Sequence, residues 1–147
     1  MGWSMIDYGE YWAHAHDSDQ ILFMTFASEF LDSSSEFVGE TWLQDWKIYW
    51  LEHKADHANG CCDLDLQSHL LDGRRIKVFR DFLAAYRSRI SRYGDEIPAE
   101  VINLKTAVPF YLQQMGPSRT SDLLAFVTTI EDLLSGNTQN KLVHRKE

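Results

Sequence analysis

An aromatic stripe in the first half of the chain places the strongest constraint on the fold. Within residues 35–57, aromatic and imidazole side chains recur at spacings of three, four, seven and eight: Trp42, Trp46, Tyr49, Trp50, His53 and His57. These spacings put all six side chains on one face of an α-helix. Phe37, Ile48 and Leu51 fall outside that face, so the helix is apolar on more than one side. We therefore expect it to be central, with other helices packed around it.

Two shorter helices are predicted before this stripe. The apolar residues between Trp3 and His16 fit a helical stripe loosely, which predicts a short first helix. In the segment Asp19–Leu31 the apolar residues recur every three or four positions, which predicts a second helix. Ser33 and Glu36 then form a capping-box pattern, which indicates that the aromatic helix starts there.

The middle of the chain is expected to continue as helix. Gly60 closes the aromatic helix, and residues 61–72 allow either a short strand or a short helix. A hairpin turning at Asp72-Gly73 is one alternative. Helix is favoured because the apolar residues from Ile76 to Tyr93 keep the helical spacing for about five turns. Gly94 is the expected end of that helix.

The C-terminal part supplies two more predicted helices. One runs from Pro98 to about Lys105, and a clear amphipathic one spans Leu123–Leu134. Residues 106–114 are interpreted as an extended crossing segment. The prediction is therefore an all-α single domain over residues 1–136, a bundle of five to seven helices with little or no sheet, followed by a polar tail at residues 137–147.

The charge is distributed unevenly along the chain. Residues 1–73 hold 14 acidic residues and two lysines, a formal charge of −12, whereas residues 74–147 hold eight acidic and 12 basic residues, a formal charge of +4. The total of −8 disfavours nucleic acid as a partner of the whole surface. It favours a basic protein as the partner.

The sequence also indicates the cellular compartment of the protein. No apolar run approaches the roughly 20 residues that span a bilayer, and the first residues lack the pattern of a signal peptide. The two cysteines, Cys61 and Cys62, are adjacent, and two free thiols fit a reducing compartment. We therefore predict a cytoplasmic protein with no membrane segment.

A strip of carboxylates beside the aromatic stripe is the candidate binding surface. On a helix, Asp45, Glu52 and Asp56 share one side, and Asp63 and Asp65 follow in sequence. A negative field of this kind can speed encounter with a positive partner by roughly 10- to 1,000-fold. These five residues are the predicted partner-binding site. Three nearby aromatic residues are candidate anchors: Trp3, Tyr8 and Tyr11.

A metal site is the alternative interpretation of the same region. His53 and His57 are four residues apart on one helical face, with Cys61 and Cys62 one turn beyond, a mixture that zinc accepts. Adjacent cysteines are not a normal ligand pair, and there is no His-Glu-x-x-His run. We favour imidazoles that extend the stripe and find hydrogen-bond partners at its rim. The predicted protein has no cofactor and is not an enzyme; a small metal-binding protein or enzyme is the alternative.

Several segments of the second half share the layout of a known group. They are Asp72-Gly-Arg-Arg, Phe79-Arg-Asp-Phe-Leu, Tyr93-Gly-Asp-Glu-Ile-Pro-Ala-Glu-Val-Ile, Val108-Pro-Phe-Tyr and Ser118-Arg-Thr-Ser. Over residues 72–135 the chain resembles small bacterial immunity proteins of contact-dependent growth inhibition and related polymorphic toxin systems. The resemblance implies a non-enzymatic cytoplasmic protein that binds and blocks a cognate toxin domain. Many such toxins are nucleases with a basic cleft, which agrees with the acidic first half. A helix-binding adaptor or anti-regulator is the third hypothesis.

Overall fold

The computed structural model describes residues 2–56, 62–106 and 116–138. In chain order its elements are β1 (Trp3–Tyr8), β2 (Tyr11–His16), α1 (Asp17–Ser33), a 3₁₀ turn (Ser35–Phe37), α2 (Thr41–Asp56), α3 (Leu66–His69), α4 (Gly73–Ser91), β3 (Glu96–Ile97), α5 (Ala99–Thr106), β4 (Ser118–Arg119) and α6 (Thr120–Ser135). The predominantly helical prediction is confirmed, with six α-helices in these ranges. They are joined by two small antiparallel sheets, β1–β2 and β3–β4. None of the described helices is long and apolar enough to cross a bilayer.

The predicted helix over Trp3–His16 is wrong, because this segment is a β-hairpin. Its two strands pair in register on either side of a two-residue turn, and Gly9 takes a φ of 61° in that turn. A glycine with positive φ is what a tight hairpin turn requires. Ser4, Ile6 and Ala15 alternate into the interior, each at most 5% exposed. This period of two fits the segment better than the loose helical spacing does.

The hairpin presents its other face outward. By the strand register, that face carries Trp3, Met5, Asp7, Trp12, His14 and His16. β1 lies beside α3, where the Tyr8 hydroxyl donates to the Leu70 carbonyl at 3.0 Å and the Gly9 N–H donates to Gln67 Oε1 at 2.7 Å. β2 lies beside α6. The hairpin therefore bridges the two sides of the helical body.

The aromatic stripe of α2 forms one side of the core, and the helix that is buried on most sides is α1. Trp46 and Trp50 are fully buried. The Trp46 ring lies 4.8 Å from Phe79 of α4, and the Trp50 ring lies 5.8 Å from Phe23 of α1. Phe23 in turn packs edge-on against Phe126 of α6 at 5.5 Å. One aromatic cluster thus joins four helices, as the stripe predicts.

Two expectations for α2 are wrong. The helix begins at Thr41, not at Ser33, because the Ser33 hydroxyl donates back to the Phe30 carbonyl and ends α1. The helix is also not enclosed on every side, since Ile48 and Leu51 are 52% and 40% exposed. Its outer face is therefore open to a partner. The predicted end at Gly60 lies outside the described residues.

The helix favoured for the segment after α2 is confirmed, and the hairpin alternative is wrong. Residues 66–69 form the short helix α3, and Asp72 and Gly73 start α4 instead of forming a hairpin turn. The Asp72 carboxylate accepts the N–H of Arg75 at 2.9 Å and so caps α4. The end predicted at Gly94 is close to the observed one, since α4 stops at Ser91 and Gly94 has a φ of 77°.

The C-terminal helices match their predictions. α5 follows Pro98, and α6 contains the whole of Leu123–Leu134 and ends at Gly136. Gly136 has a φ of 70°, and a Cβ atom there would lie 3.0 Å from the Tyr11 ring, so only glycine fits. The crossing segment predicted at residues 106–114 lies outside the described part after Thr106. Most of the polar tail, residues 139–147, also lies outside it.

Candidate protein-binding face

The rim of the aromatic stripe holds the loop that connects α2 to α3. The indole N–H of Trp46 donates to the Leu64 carbonyl at 2.8 Å, and the Tyr49 hydroxyl donates to the Asp63 carbonyl at 2.7 Å. His53 Nε2 accepts the N–H of Asp63 at 3.0 Å. The part of the loop at residues 62–65 is therefore fixed by three side chains of a core helix.

The inner side of the same loop is held by the hairpin and by α1. The N–H of Cys62 donates to the Ser4 hydroxyl at 2.8 Å, and the Gln20 side-chain amide donates to the Cys62 carbonyl at 3.3 Å. The Ser4 hydroxyl donates in turn to the fully buried carboxylate of Asp17. Three elements thus converge on one short loop. A loop held in this way presents its side chains in a preorganised geometry.

Local hydrogen bonds shape the outer side of the loop. Asp65 has left-handed backbone angles, a φ of 58° and a ψ of 49°, which aspartate tolerates better than most residues. Its N–H donates to Asp63 Oδ1 at 2.9 Å, and its own carboxylate accepts the Ser68 hydroxyl at 2.7 Å. Both carboxylates are therefore oriented by bonds within the loop, and both remain partly exposed.

Three carboxylates act on one another at this loop, those of Asp7, Asp63 and Asp65. Burial raises the pKa of Asp63 above its ordinary value; the Asp65 N–H and His53 oppose this, and the carboxylates of Asp7 and Asp65 add to it. Burial, followed by the charges of Asp63 and Asp65, raises the pKa of the Tyr49 phenol. Among the described residues, no lysine or arginine forms an ion pair with any of the three carboxylates.

The outer strip of α2 continues this negative region. Asp45, Ile48, Tyr49 and Glu52 are three or four residues apart and therefore neighbours on the helix surface. Asp45 and Glu52 are exposed and have no ion-pair partner in the described ranges. Because Tyr49 reaches across to Asp63, the strip joins the loop.

We call this surface the acidic face. It consists of Asp7, Asp45, Glu52, Asp63 and Asp65, with Ile48 exposed within it. Four of the five predicted site residues lie on it. The fifth, Asp56, is in the last turn of α2, and its side chain lies outside the described part. The sequence prediction missed Asp7, because it placed residues 3–16 in a helix. In the structure Asp7 lies on the outward face of β1.

Outside the acidic face, five acidic residues have a lysine or arginine partner: Asp32, Glu40, Asp81, Asp122 and Glu131. Glu40 pairs with Arg74 at 2.6 Å, and Glu131 pairs with Arg87 at 2.6 Å. Asp32 pairs with Lys47, and Asp81 pairs with Lys77. The guanidinium of Arg75 lies over the Trp42 ring at 5.1 Å. Four basic residues of α4 thus have local partners, namely Arg74, Arg75, Lys77 and Arg87, and none of these partners belongs to the acidic face.

The alternative metal set is only partly described, and its described members serve the fold. His53 Nε2 accepts a backbone N–H, as the preferred interpretation expects of the imidazoles at the rim of the stripe. Burial, followed by the charges of Asp17 and Asp63, raises the pKa of the Cys62 thiol to about 12, so it stays protonated at neutral pH. His57 and Cys61 lie outside the described residues. Within those residues, no group of three or more His, Cys, Asp or Glu side chains is arranged to hold a metal ion.

Of the three candidate aromatic anchors, only Trp3 is largely exposed, at 58%. Tyr8 is partly buried and bonded to the Leu70 carbonyl, and Tyr11 packs against the core beside Gly136. Tyr8 and Tyr11 are therefore only partly exposed, and their role as anchors stays a prediction. They lie on the inward face of the hairpin, which a helical interpretation could not place.

A charge-removing change at Asp63 should stabilise the fold. Asparagine keeps the Oδ1 acceptor for the Asp65 N–H and removes a charge that burial and two neighbouring carboxylates disfavour. Because the folded-state pKa of Asp63 is raised, the ionised side chain lowers stability as pH rises through that pKa. We expect D63N to add ~0.5 kcal/mol at about pH 7, a small gain because solvent screens the partly exposed site, and almost nothing below about pH 3.5.

Urea unfolding at the two pH values measures this difference. The comparison variant is D81N, which removes an exposed ion pair with Lys77 and should lower stability slightly or leave it unchanged. A loss of stability in D63N at neutral pH would contradict the described electrostatics of the loop.

Comparisons of the chain with protein-family models, with curated proteins and with solved structures give no match in any of the three. The resemblance to immunity proteins therefore stays a prediction.

Proposed function

We propose that this chain is a non-enzymatic immunity protein that binds a cognate toxin domain and covers a basic cleft on it with the acidic face. The observation that carries the proposal is the set of unneutralised carboxylates on a preorganised surface. Five acidic residues elsewhere have lysine or arginine partners, while Asp7, Asp45, Glu52, Asp63 and Asp65 have none among the described residues.

The energetics of the acidic face support a role in binding. Like charges held close together destabilise a fold, and the pKa of Asp63 is raised first by burial and then by that repulsion. Charges that lower the stability of the free protein are typical of functional sites. A cationic partner would supply the missing counter-charges. The unfavourable arrangement in the free protein would then become favourable in the complex.

The shape of the acidic face also fits a protein partner. Ile48 is half exposed in the middle of the α2 strip, with Asp45 and Glu52 on either side. Protein interfaces usually combine an apolar centre with a polar rim. Carboxylates around an apolar centre would steer a basic surface during encounter, while Ile48 would be desolvated on contact. This arrangement suits inhibition of a toxin by occlusion.

The proposal predicts that protection depends on the acidic face. The test is to search the genes beside this chain's gene for a toxin domain and to co-express it: the wild-type chain should let cells grow, whereas the triple variant D45N/E52Q/D63N should protect poorly. With the purified pair, the association rate of the triple variant should fall by about tenfold or more at low salt, with a shallower salt dependence, because the steering charges are lost. Stopped-flow mixing measures both quantities.

The matched control for this experiment is D81N, which changes an acidic residue of α4 that is already paired with Lys77. It should protect and associate like the wild type. Full protection by the triple variant would refute the acidic face as the binding surface. A neighbouring toxin whose activity the wild-type chain leaves unchanged would refute the immunity function.

A helix-binding adaptor is a second candidate, favoured by the exposure of Ile48 and Leu51 on the outer face of α2. Apolar docking of a partner helix would depend little on salt. The salt dependence of the association rate therefore separates the two functions.

A further inference from the structure

The imidazole of His53 holds the loop at residues 62–65 through one lone pair. Its Nε2 accepts the backbone N–H of Asp63 at 3.0 Å, at the half-buried rim of the aromatic stripe. An imidazole nitrogen accepts a hydrogen bond only while it carries no proton, so this bond requires the neutral ring with its proton on Nδ1. The geometry of the loop therefore depends on the protonation state of one side chain.

A second histidine at the same loop makes the opposite kind of bond. His69 Nδ1 lies 2.9 Å from the Asp65 carbonyl, which can only accept, so this nitrogen carries a proton. An imidazolium also carries a proton on Nδ1 and can donate in the same way. Protonation of His69 therefore preserves its bond to the loop, whereas protonation of His53 removes one.

The aromatic and thiol neighbours of this site do not titrate near neutral pH. The His53 ring stacks on Tyr49 at 5.1 Å with 12° between the two planes, and the Tyr49 ring lies 5.7 Å from that of His69 on α3. Burial raises the pKa of the Tyr49 phenol, and it raises the pKa of the Cys62 thiol to about 12. Both groups stay protonated and neutral, so neither competes for a proton with His53.

Carboxylates act on this site from the loop and from β1. Burial raises the pKa of Asp63, the carboxylates of Asp7 and Asp65 add to the rise, and the charge of His53 opposes it. In the described ranges, none of the three carboxylates is paired with a lysine or an arginine. A protonated His53 would be repelled by the Asp63 N–H and attracted to the Asp63 carboxylate.

We propose that His53 is a pH-dependent switch of the acidic face. The neutral ring holds the Asp63 N–H, and the imidazolium, with a proton from water on Nε2, releases that N–H and pairs with the Asp63 carboxylate. This pairing draws Asp63 Oδ1 away from the Asp65 N–H that it accepts in the described loop. Histidine side chains ordinarily titrate between about pH 5 and 8. The effect on a partner rests on the proposed function: a basic toxin domain should bind less tightly as pH falls, because a positive charge then lies within the acidic face.

NMR spectra of the purified chain test the switch without a partner. Long-range ¹H–¹⁵N spectra of the imidazoles should show the Nδ1–H tautomer of His53 at about pH 8. As the pH falls to about 5, the Asp63 backbone amide should shift with the same midpoint as the His53 ring, because the two groups share one hydrogen bond. An Nε2–H tautomer at the higher pH, or an Asp63 amide that does not follow the ring, would overturn the proposal.

Three variants separate this event from other titrations. H53Q offers an acceptor oxygen on a side chain that does not titrate, so the shift of the Asp63 amide in this pH range should be lost. H14Q changes an exposed histidine of β2 and should leave that shift unchanged. D63N keeps the backbone N–H but removes the charge that attracts the imidazolium, so the His53 midpoint should fall by about 0.5 pH unit or more. The wild-type amide shift in H53Q, or an unchanged His53 midpoint in D63N, would contradict the switch.

Binding of the toxin domain is measured separately. The affinity of the wild type should fall by about tenfold or more between about pH 8 and 5.5 relative to that of H53Q, which reports the pH dependence of the toxin itself. Protection of cells without the spectral transition would remove the switch and leave the acidic face. The spectral transition without protection would keep the switch and refute the immunity function.

Discussion

Replacing Trp46 with alanine should destabilise the protein by roughly 3–5 kcal/mol. The side chain is fully buried, with its ring 4.8 Å from Phe79 and 5.1 Å from Trp50, so truncation leaves a large cavity. The change also removes the donor to the Leu64 carbonyl. Urea unfolding followed by circular dichroism measures the loss.

Two further variants separate the causes of that loss. W46F retains an aromatic ring but removes the N–H, and should cost about 1–3 kcal/mol. I48A truncates an apolar residue on the outer face of the same helix and should cost less than about 1 kcal/mol, because Ile48 is already half exposed. A small effect of W46A, similar to that of I48A, would contradict the placement of the stripe in the core.

Replacing Ser4 with alanine should cost roughly 2–4 kcal/mol, although it removes a single oxygen atom. The Ser4 hydroxyl accepts the N–H of Cys62 and donates to the Asp17 carboxylate, and all three residues are almost fully buried. Without the hydroxyl, the buried N–H of Cys62 has no acceptor, and the buried Asp17 carboxylate loses one donor. Leaving a buried polar group unpaired costs more free energy than a typical hydrogen bond contributes.

The control for S4A is S88A, which removes the hydroxyl of an exposed serine in the last turn of α4 and should change stability by less than about 0.5 kcal/mol. If S4A were as mild as S88A, the hairpin would not be holding the loop at residues 62–65. A combined S4A/D63N variant should be more stable than S4A alone, since the second change relieves charge repulsion at the same loop.

Helices with a strong apolar rhythm are predictable from the sequence. α4 and α6 each bury residues that recur every three or four positions, whereas α1 is buried continuously from Gln20 to Ser28. The observed ends of all three lie within a few residues of the predicted ones. The hairpin is not found by the same reasoning. Aromatic and alanine residues satisfy a loose helical spacing as easily as a period of two, and the turn at Gly9 decides between them.

The acidic face is predictable only in part. Asp45 and Glu52 follow from helical geometry, because residues on one strip of a helix stay together in any fold. Asp7 joins them through tertiary contacts between β1 and the loop after α2, which no local pattern contains. The bonds from Tyr49 and His53 to Asp63 are equally non-local. Local sequence rules therefore supply the charged residues of this face but not its geometry.

One indole links the interior of this protein to its surface loop. Trp46 is fully buried in the core and, with the same ring, fixes the Leu64 carbonyl next to Asp63 and Asp65. Thermal opening of the core and loss of the loop's shape are consequently one cooperative event. A ligand that binds the shaped loop would raise the melting temperature of the whole molecule through mass action, in proportion to the logarithm of its concentration.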